Sequence, residues 1–152
     1  MIKKISRNKC NDVDQDLDLN KEINWFEILE NVDCIIHTAA KVHEENQESK
    51  KDEFYNINFK ATERLAQQAS ECGVRRFIYI STVKVNGESN DVNSPINENS
   101  NSNIKDFYSD SKKKSEDVLI SISKKSDMEV VIIRPPLIYG PNVGANFLKM
   151  II

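Results

Sequence analysis

The chain has 152 residues, of which 39% are hydrophobic and 30% charged, and its formal net charge is -3. Those totals suit one globular domain and exclude a mostly disordered chain. Mild acidity without a basic face argues against a nucleic-acid partner, and the apolar runs are too short to cross a bilayer as a helix.

The opening MIKKIS has a basic start with no apolar segment behind it, so it does not read as a secretory signal. Cys10, Cys34 and Cys72 lie far apart and form no ligand pair, which fits a reducing, cytoplasmic setting. With only His37 and His43, a multi-histidine metal site is not expected.

In chain order, residues 1–5 form a short strand candidate, and the Asn- and Asp-rich CNDVDQDLDLN that follows reads mostly as loop. NWFEIL offers Asn24 as a helix cap with Glu27 three residues on, a capping-box pattern that would bury Trp25, Ile28 and Leu29. VDCIIHTAA is a near-continuous apolar run ending in small residues, as in a central strand covered on both faces. From Asp52 to Cys72 the apolar positions recur every three or four residues, predicting a long amphipathic helix stopped by Gly73. VRRFIYIST reads as a second buried strand. Residues 86–106, rich in Asn and Ser, are long for a passive connection and read as a loop on the substrate side. A second helix begins near Ser109, and EVVIIRPP is a third buried strand. The alternation predicts an α/β fold: a Rossmann-like parallel sheet with crossover helices, in which ligands sit beyond the carboxyl ends of the strands. His37 to Ala40, Ser81 with Thr82, and Arg134 to Pro141 fall at those ends.

Tyr108 and Lys112 stand four apart at the start of the second helix and share a face. A tyrosine hydroxyl titrates near 10, and a nearby ammonium and a helix amino end both favour its phenolate. Such a tyrosine exchanges a proton with a sugar or alcohol hydroxyl while hydride leaves the same carbon. A tyrosine four residues before a lysine also arises with no chemistry attached. STVKVNG behind one strand and HTAA behind another tip the balance toward catalysis. Ala39 and Ala40 are small enough for a flat dinucleotide to lie close to the backbone, although small residues also serve helix packing.

Five stretches, DCIIHTAAKVH, YNINFKATERLAQQA, VRRFIYISTVKVNG, YSDSK and VVIIRPPLIYGPNVGANFLKM, together resemble the NAD-dependent epimerase/dehydratase family of extended short-chain dehydrogenase/reductases. The closest likeness is to 4-epimerases of nucleotide sugars and polyprenyl-diphosphate sugars. The resemblance implies NAD as cofactor, Tyr108 as base, and Lys112 as its partner and a ligand of the nicotinamide ribose. It places Thr82 on the substrate hydroxyl, with Lys84, Tyr139 and Asn146 also on the substrate side. Cofactor contacts are implied for Ala39, Ala40, Asn58, Ser81, Arg134 and Pro135, and for Asp16 near the adenine. A nucleotide-sugar or lipid-diphosphate-sugar substrate is implied, and a homodimer for a complete protein. Dehydratases of the family resemble one another in an Asp-Glu pair after the threonine. Val83 and Lys84 stand there instead, which favours the epimerase. A sugar or alcohol reductase, and a noncatalytic remnant acting through protein contacts, are the other readings.

The family's Gly-x-x-Gly-x-x-Gly turn has no counterpart among Gly73, Gly87, Gly140 and Gly144. MIKKISRNK resembles the family's second strand. The expectation is therefore that residues 1–152 are a partial NAD-binding domain, an internal fragment without its first strand and helix.

Overall fold

The structure is a computed structural model that describes residues 2–7, 13–42, 50–87, 95–98, 100, 104–136 and 138. Strand β1 (Ile5–Ser6) pairs in parallel with β2 (Gln15–Asp16) as a small sheet of its own. The main sheet has three parallel strands, β3 (Cys34–His37), β4 (Arg76–Ile80) and β5 (Glu129–Ile133), in the order β3-β4-β5. Its register sets Ile36 opposite Ile78 and Tyr79 opposite Ile132.

Between β3 and β4 runs one continuous helical stretch: α1 (Lys51–Phe54), a π-helical segment (Tyr55–Lys60) and α2 (Ala61–Glu71). It stops as the sequence predicts. Gly73 takes φ +76°, Val74 N–H donates to Ala69 O at 3.0 Å, and Gly73 N–H donates to Ser70 O at 3.3 Å. Those two bonds make a Schellman cap, and the left-handed backbone favours glycine. Between β4 and β5 lie a short 3₁₀ turn (Val83–Asn86) and α3 (Phe107–Ser123). Asp106 caps α3, accepting from Ser109 N–H at 2.8 Å and from the Ser109 hydroxyl at 2.7 Å. The helix thus begins two residues before the expected Ser109, because the aspartate satisfies its first free N–H groups.

Both crossovers advance in the same direction across the sheet, and right-handed connections then put their helices on one face. The core lies there: Leu65, Ala66 and Ala69 of α2 and Leu119 of α3 pack on Phe77 and Tyr79 of β4, with Trp25, Leu29, Val74 and Met128 closing the edges. On the other face Ile36 is 64% exposed, Ile133 45% and Val131 40%. The strands expected to be covered on both faces are, among the described residues, covered on one.

Two further expectations change. Residues 24–29 form a single helical turn rather than a helix. Leu29 N–H reaches Trp25 O at 2.9 Å, and Asn31 at φ 59° ends it. Asn24 Oδ1 accepts from Phe26 N–H at 3.3 Å, as its capping role predicts, and Trp25 N–H donates to Gln68 Oε1 at 2.7 Å, pinning the turn to α2 while Trp25 and Leu29 are buried as predicted. Asp16, read as loop, lies in β2 with an exposed side chain. Among the described residues no helix is long and apolar enough to cross a membrane, and no group of three or more His, Cys, Asp or Glu could hold a metal ion.

Leu119 is fully buried at the junction of α2, α3 and the sheet. Leu119→Ala is expected to cost about 3 kcal/mol by creating a cavity, read as a lower midpoint in urea unfolding.

Candidate active site

The carboxyl ends of β4 and β5, the segment after β3 and the first turns of α3 converge on one rim. Ser81 N–H donates to Ile133 O at 2.7 Å, and Val83 N–H donates to Pro135 O at 3.1 Å, which locks the two strand ends together. Thr82 then caps the 3₁₀ turn, its hydroxyl accepting from Lys84 N–H at 3.3 Å. Lys84 rides on that turn, partly buried. Thr82 also neighbours the Tyr108 phenol and acts to draw its pKa down. The structure thus brings Thr82 and Tyr108 together, from elements distant in sequence. Ser81 is buried beside them, and its hydroxyl has no hydrogen-bond partner.

The Lys112 ammonium is turned toward the sheet. The residue is 1% exposed; its ammonium donates to Ile80 O at 2.6 Å and sits 4.0 Å from the centre of the Tyr79 ring. Burial pulls its pKa down to about 8, and Glu116 opposes that. The Tyr108 phenol is held above its ordinary value, first by burial and then by Asp106, while Thr82 alone draws it down. The predicted lowering of the phenol by the lysine charge is not what this geometry produces. The ammonium faces the sheet's backbone and a ring, and the half-buried phenol loses more to desolvation than its neighbours return.

Asn58 is 1% exposed and acts as a bracket. Its Oδ1 accepts from Lys41 N–H at 2.7 Å, and its Nδ2 donates to Lys41 O and to Ser111 Oγ, both at 3.0 Å. It fixes the segment just past Ala39 and Ala40 to its own helical stretch and to α3. Ala39 is exposed and Ala40 half-buried. The π-helical segment sets Asn58 O to accept from Thr62 Oγ1 and from Ser115 Oγ, each at 2.7 Å. Because Thr62 spends its proton there, its oxygen accepts from His37 Nε2–H at 2.9 Å, which fixes His37 as the neutral Nε2 tautomer. Burial and the Lys112 charge press His37 down to about 3.

Arg134, expected among cofactor contacts, spends its guanidinium elsewhere. Nε and Nη2 donate to the two oxygens of fully buried Glu116 at 3.0 and 2.6 Å, and Nη1 donates to Asn86 Oδ1 at 3.1 Å and Glu98 O at 2.8 Å. Asp16 lies in the separate small sheet. Tyr139, Gly140, Pro141 and Asn146 lie outside the described residues, as do Cys10 and His43. Sequence reasoning missed Glu116, Asn86, Thr62, Ser111, Ser115 and the buried role of His37. The repeat Tyr108, Lys112, Glu116, each four residues on, was the available signal for Glu116.

Two outcomes test these assignments. Folded His37 takes a proton near 3 and an unfolded histidine near 6.5. The unfolded state therefore binds more protons between those values, and stability falls as pH drops through that window. His37→Gln is expected to lose less stability than the wild type between neutrality and about pH 4, by denaturant unfolding at each pH. Second, Lys112→Met is expected to leave the Tyr108 phenol titrating above its ordinary value. The readout is near-ultraviolet difference absorbance against the matching Tyr108→Phe protein. A rise on losing the lysine would restore the charge-coupling account.

Over residues 3–152 the sequence matches the NAD dependent epimerase/dehydratase family. It is 40% identical over 135 residues to a UDP-glucose 4-epimerase of Vibrio cholerae, covering 88% of this chain and 41% of that protein. It is 34% identical over 127 residues to a dTDP-D-glucose 4,6-dehydratase of Dictyostelium discoideum, covering 78% of this chain and 29% of that one. The fold superposes on MoeE5 in complex with UDP-glucuronic acid and NAD with a TM-score of 0.83 at 22% identity, over 96% of this chain and 50% of that one. On the UDP-glucuronic acid 4-epimerase of Bacillus cereus in complex with NAD the TM-score is 0.74 at 21% identity, over 88% and 42%. The chain spans less than half the length of these curated relatives. This match over nearly the whole sequence, on a fold of parallel strands with one-sided crossovers, establishes that the chain belongs to the NAD-dependent epimerase/dehydratase family.

Proposed function

We propose that the chain carries the proton-exchange site of an NAD-dependent sugar 4-epimerase acting on a hexose linked to UDP or to a lipid diphosphate. The observation that carries this reading is the proximity of Thr82 to the Tyr108 phenol at the strand-end rim.

The nicotinamide half of NAD fits this rim. Ser81 offers a buried hydroxyl without a partner, exposed Ala39 leaves room beside the backbone, and Lys112 has three N–H donors with Ile80 O as one acceptor. The pyrophosphate is less well served, since the four glycines form no Gly-x-x-Gly-x-x-Gly turn. When bound, NAD accepts the hydride from the sugar and returns it.

Tyr108 exchanges the proton of the sugar 4-hydroxyl at its Oη, and Thr82 orients both hydroxyls. Burial and Asp106 keep the resting phenol protonated at neutrality, so the base is a minority species. Turnover accordingly rises with pH through the neutral range. Val83 and Lys84 follow Thr82, with no carboxylate beside it to eliminate water from the sugar, which supports epimerisation over dehydration. The 40% identity to a UDP-glucose 4-epimerase supports the same choice.

The test is to incubate the chain with NAD and UDP-glucose or UDP-N-acetylglucosamine and look for the C4 epimer. Tyr108→Phe is expected to slow its appearance by about 10³-fold. Stoichiometric use of added reduced cofactor, with no epimer, would identify a reductase instead. Failure to bind NAD at about millimolar concentration would overturn the claim that this chain suffices for catalysis.

A further inference from the structure

Glu116 and Arg134 have no part in the proton exchange just described, yet they anchor a buried polar junction that joins several elements. Glu116 lies one turn beyond Lys112 on the face of α3 that carries Tyr108, and it is 0% exposed. Arg134, leaving the end of β5, meets both of its oxygens. Its remaining Nη1 reaches Asn86 at the end of the 3₁₀ turn and the carbonyl of Glu98. Asn86 Nδ2 in turn donates to Asn97 O at 3.2 Å, to Ser100 O at 3.1 Å and, more weakly, to Glu98 O at 3.5 Å. Four segments meet there: the helix of Tyr108, the end of β5, the turn begun by Thr82, and residues 97, 98 and 100. The last belong to the long loop that the sequence placed on the substrate side.

We infer that Arg134 is a positioning residue, which with Glu116 and Asn86 holds Asn97, Glu98 and Ser100 at a fixed distance from the Tyr108 helix and so sets the affinity for the sugar nucleotide. The inference rests on the functional reading above for its ligand. A buried carboxylate must be paired, and a guanidinium fork matches it with two parallel bonds. Those bonds fix Arg134 in one orientation, which is what lets its third nitrogen hold a loop. Lysine keeps the charge but has no fork, so Arg134→Lys at this position is a severe change. Asn86→Asp keeps an acceptor for Arg134 and removes the donor to the three carbonyls, so it loosens the loop, which then keeps only the Arg134 bond to Glu98 O, with the ion pair left in place.

Hydrogen exchange and ligand titration on the 152-residue chain decide the matter. In both Arg134→Lys and Asn86→Asp, amides of residues 96–98 and 100 are expected to exchange about tenfold faster, with those of β4 unchanged. The dissociation constant for UDP-glucose is expected to rise about tenfold, with that for NAD unchanged. Equal acceleration in β4 and the loop would overturn the proposal, because the junction would then act on overall stability alone. An unchanged loop would overturn it too, as would a freed loop with unchanged UDP-glucose affinity. If the wild-type chain ignores UDP-glucose, the epimerase reading falls, and the contrast between loop and β4 still decides whether the junction holds the segment.

Discussion

The buried face of α3 is polar, and the partners it requires hold much of the surrounding structure in place. Ser109, Ser111, Lys112, Ser115 and Glu116 all lie against other elements with little or no exposure. A buried donor or acceptor left alone costs about 1–3 kcal/mol, and a lone buried charge more. Each therefore dictates where a neighbour must be. Ser111 and Ser115 bind Asn58, Lys112 binds Ile80 O, and Glu116 binds Arg134. Apolar packing from Leu119 fastens α3 to the core, but it is non-directional. Directional bonds from the polar side supply the register that brings Tyr108 to Thr82.

The π-helical segment is the other half of that arrangement. A regular α-helix uses its carbonyls internally, whereas a π segment shifts the ladder and often accompanies a functional site. Asn58 O accepts two hydroxyls here, one from its own helical stretch and one from α3. Its side chain holds Lys41 from the opposite direction. One asparagine thus joins the segment after β3 to both helices, and the neutral ring of His37 completes the chain of bonds under the sheet.

Periodicity made the main elements legible. The apolar repeat through Leu65 and Ala69, the stop at Gly73 and the runs at Phe77 and Val130 gave helix, cap and parallel strands where the structure has them. Spacing placed Thr82 just past a strand end and Tyr108 at a helix start, which is where the structure has them. Other features were hidden for physical reasons. The NWFEIL pattern carries a cap signal and the cap bond forms, Phe26 N–H donating to Asn24 Oδ1 at 3.3 Å, but Asn31 at φ 59° closes the turn before a helix can extend. The direction of the Lys112 ammonium depends on which carbonyl lies beneath it, and Ile80 is 32 residues away in sequence. Arg134 reads as a ligand contact by position, yet a carboxylate on another element claims it. One-sided coverage of the sheet was equally invisible, since an apolar strand run does not say how many layers pack on it.

That one-sided coverage has a thermodynamic corollary. Ile36, Val131 and Ile133 lie on the main sheet and leave much of their hydrocarbon in water. Fully covering such a side chain contributes about 1.5–3 kcal/mol. The described fold therefore draws its cohesion from a single layer of helices, and any surface shaped to the right-handed twist of these strands would add to it without displacing a contact already made.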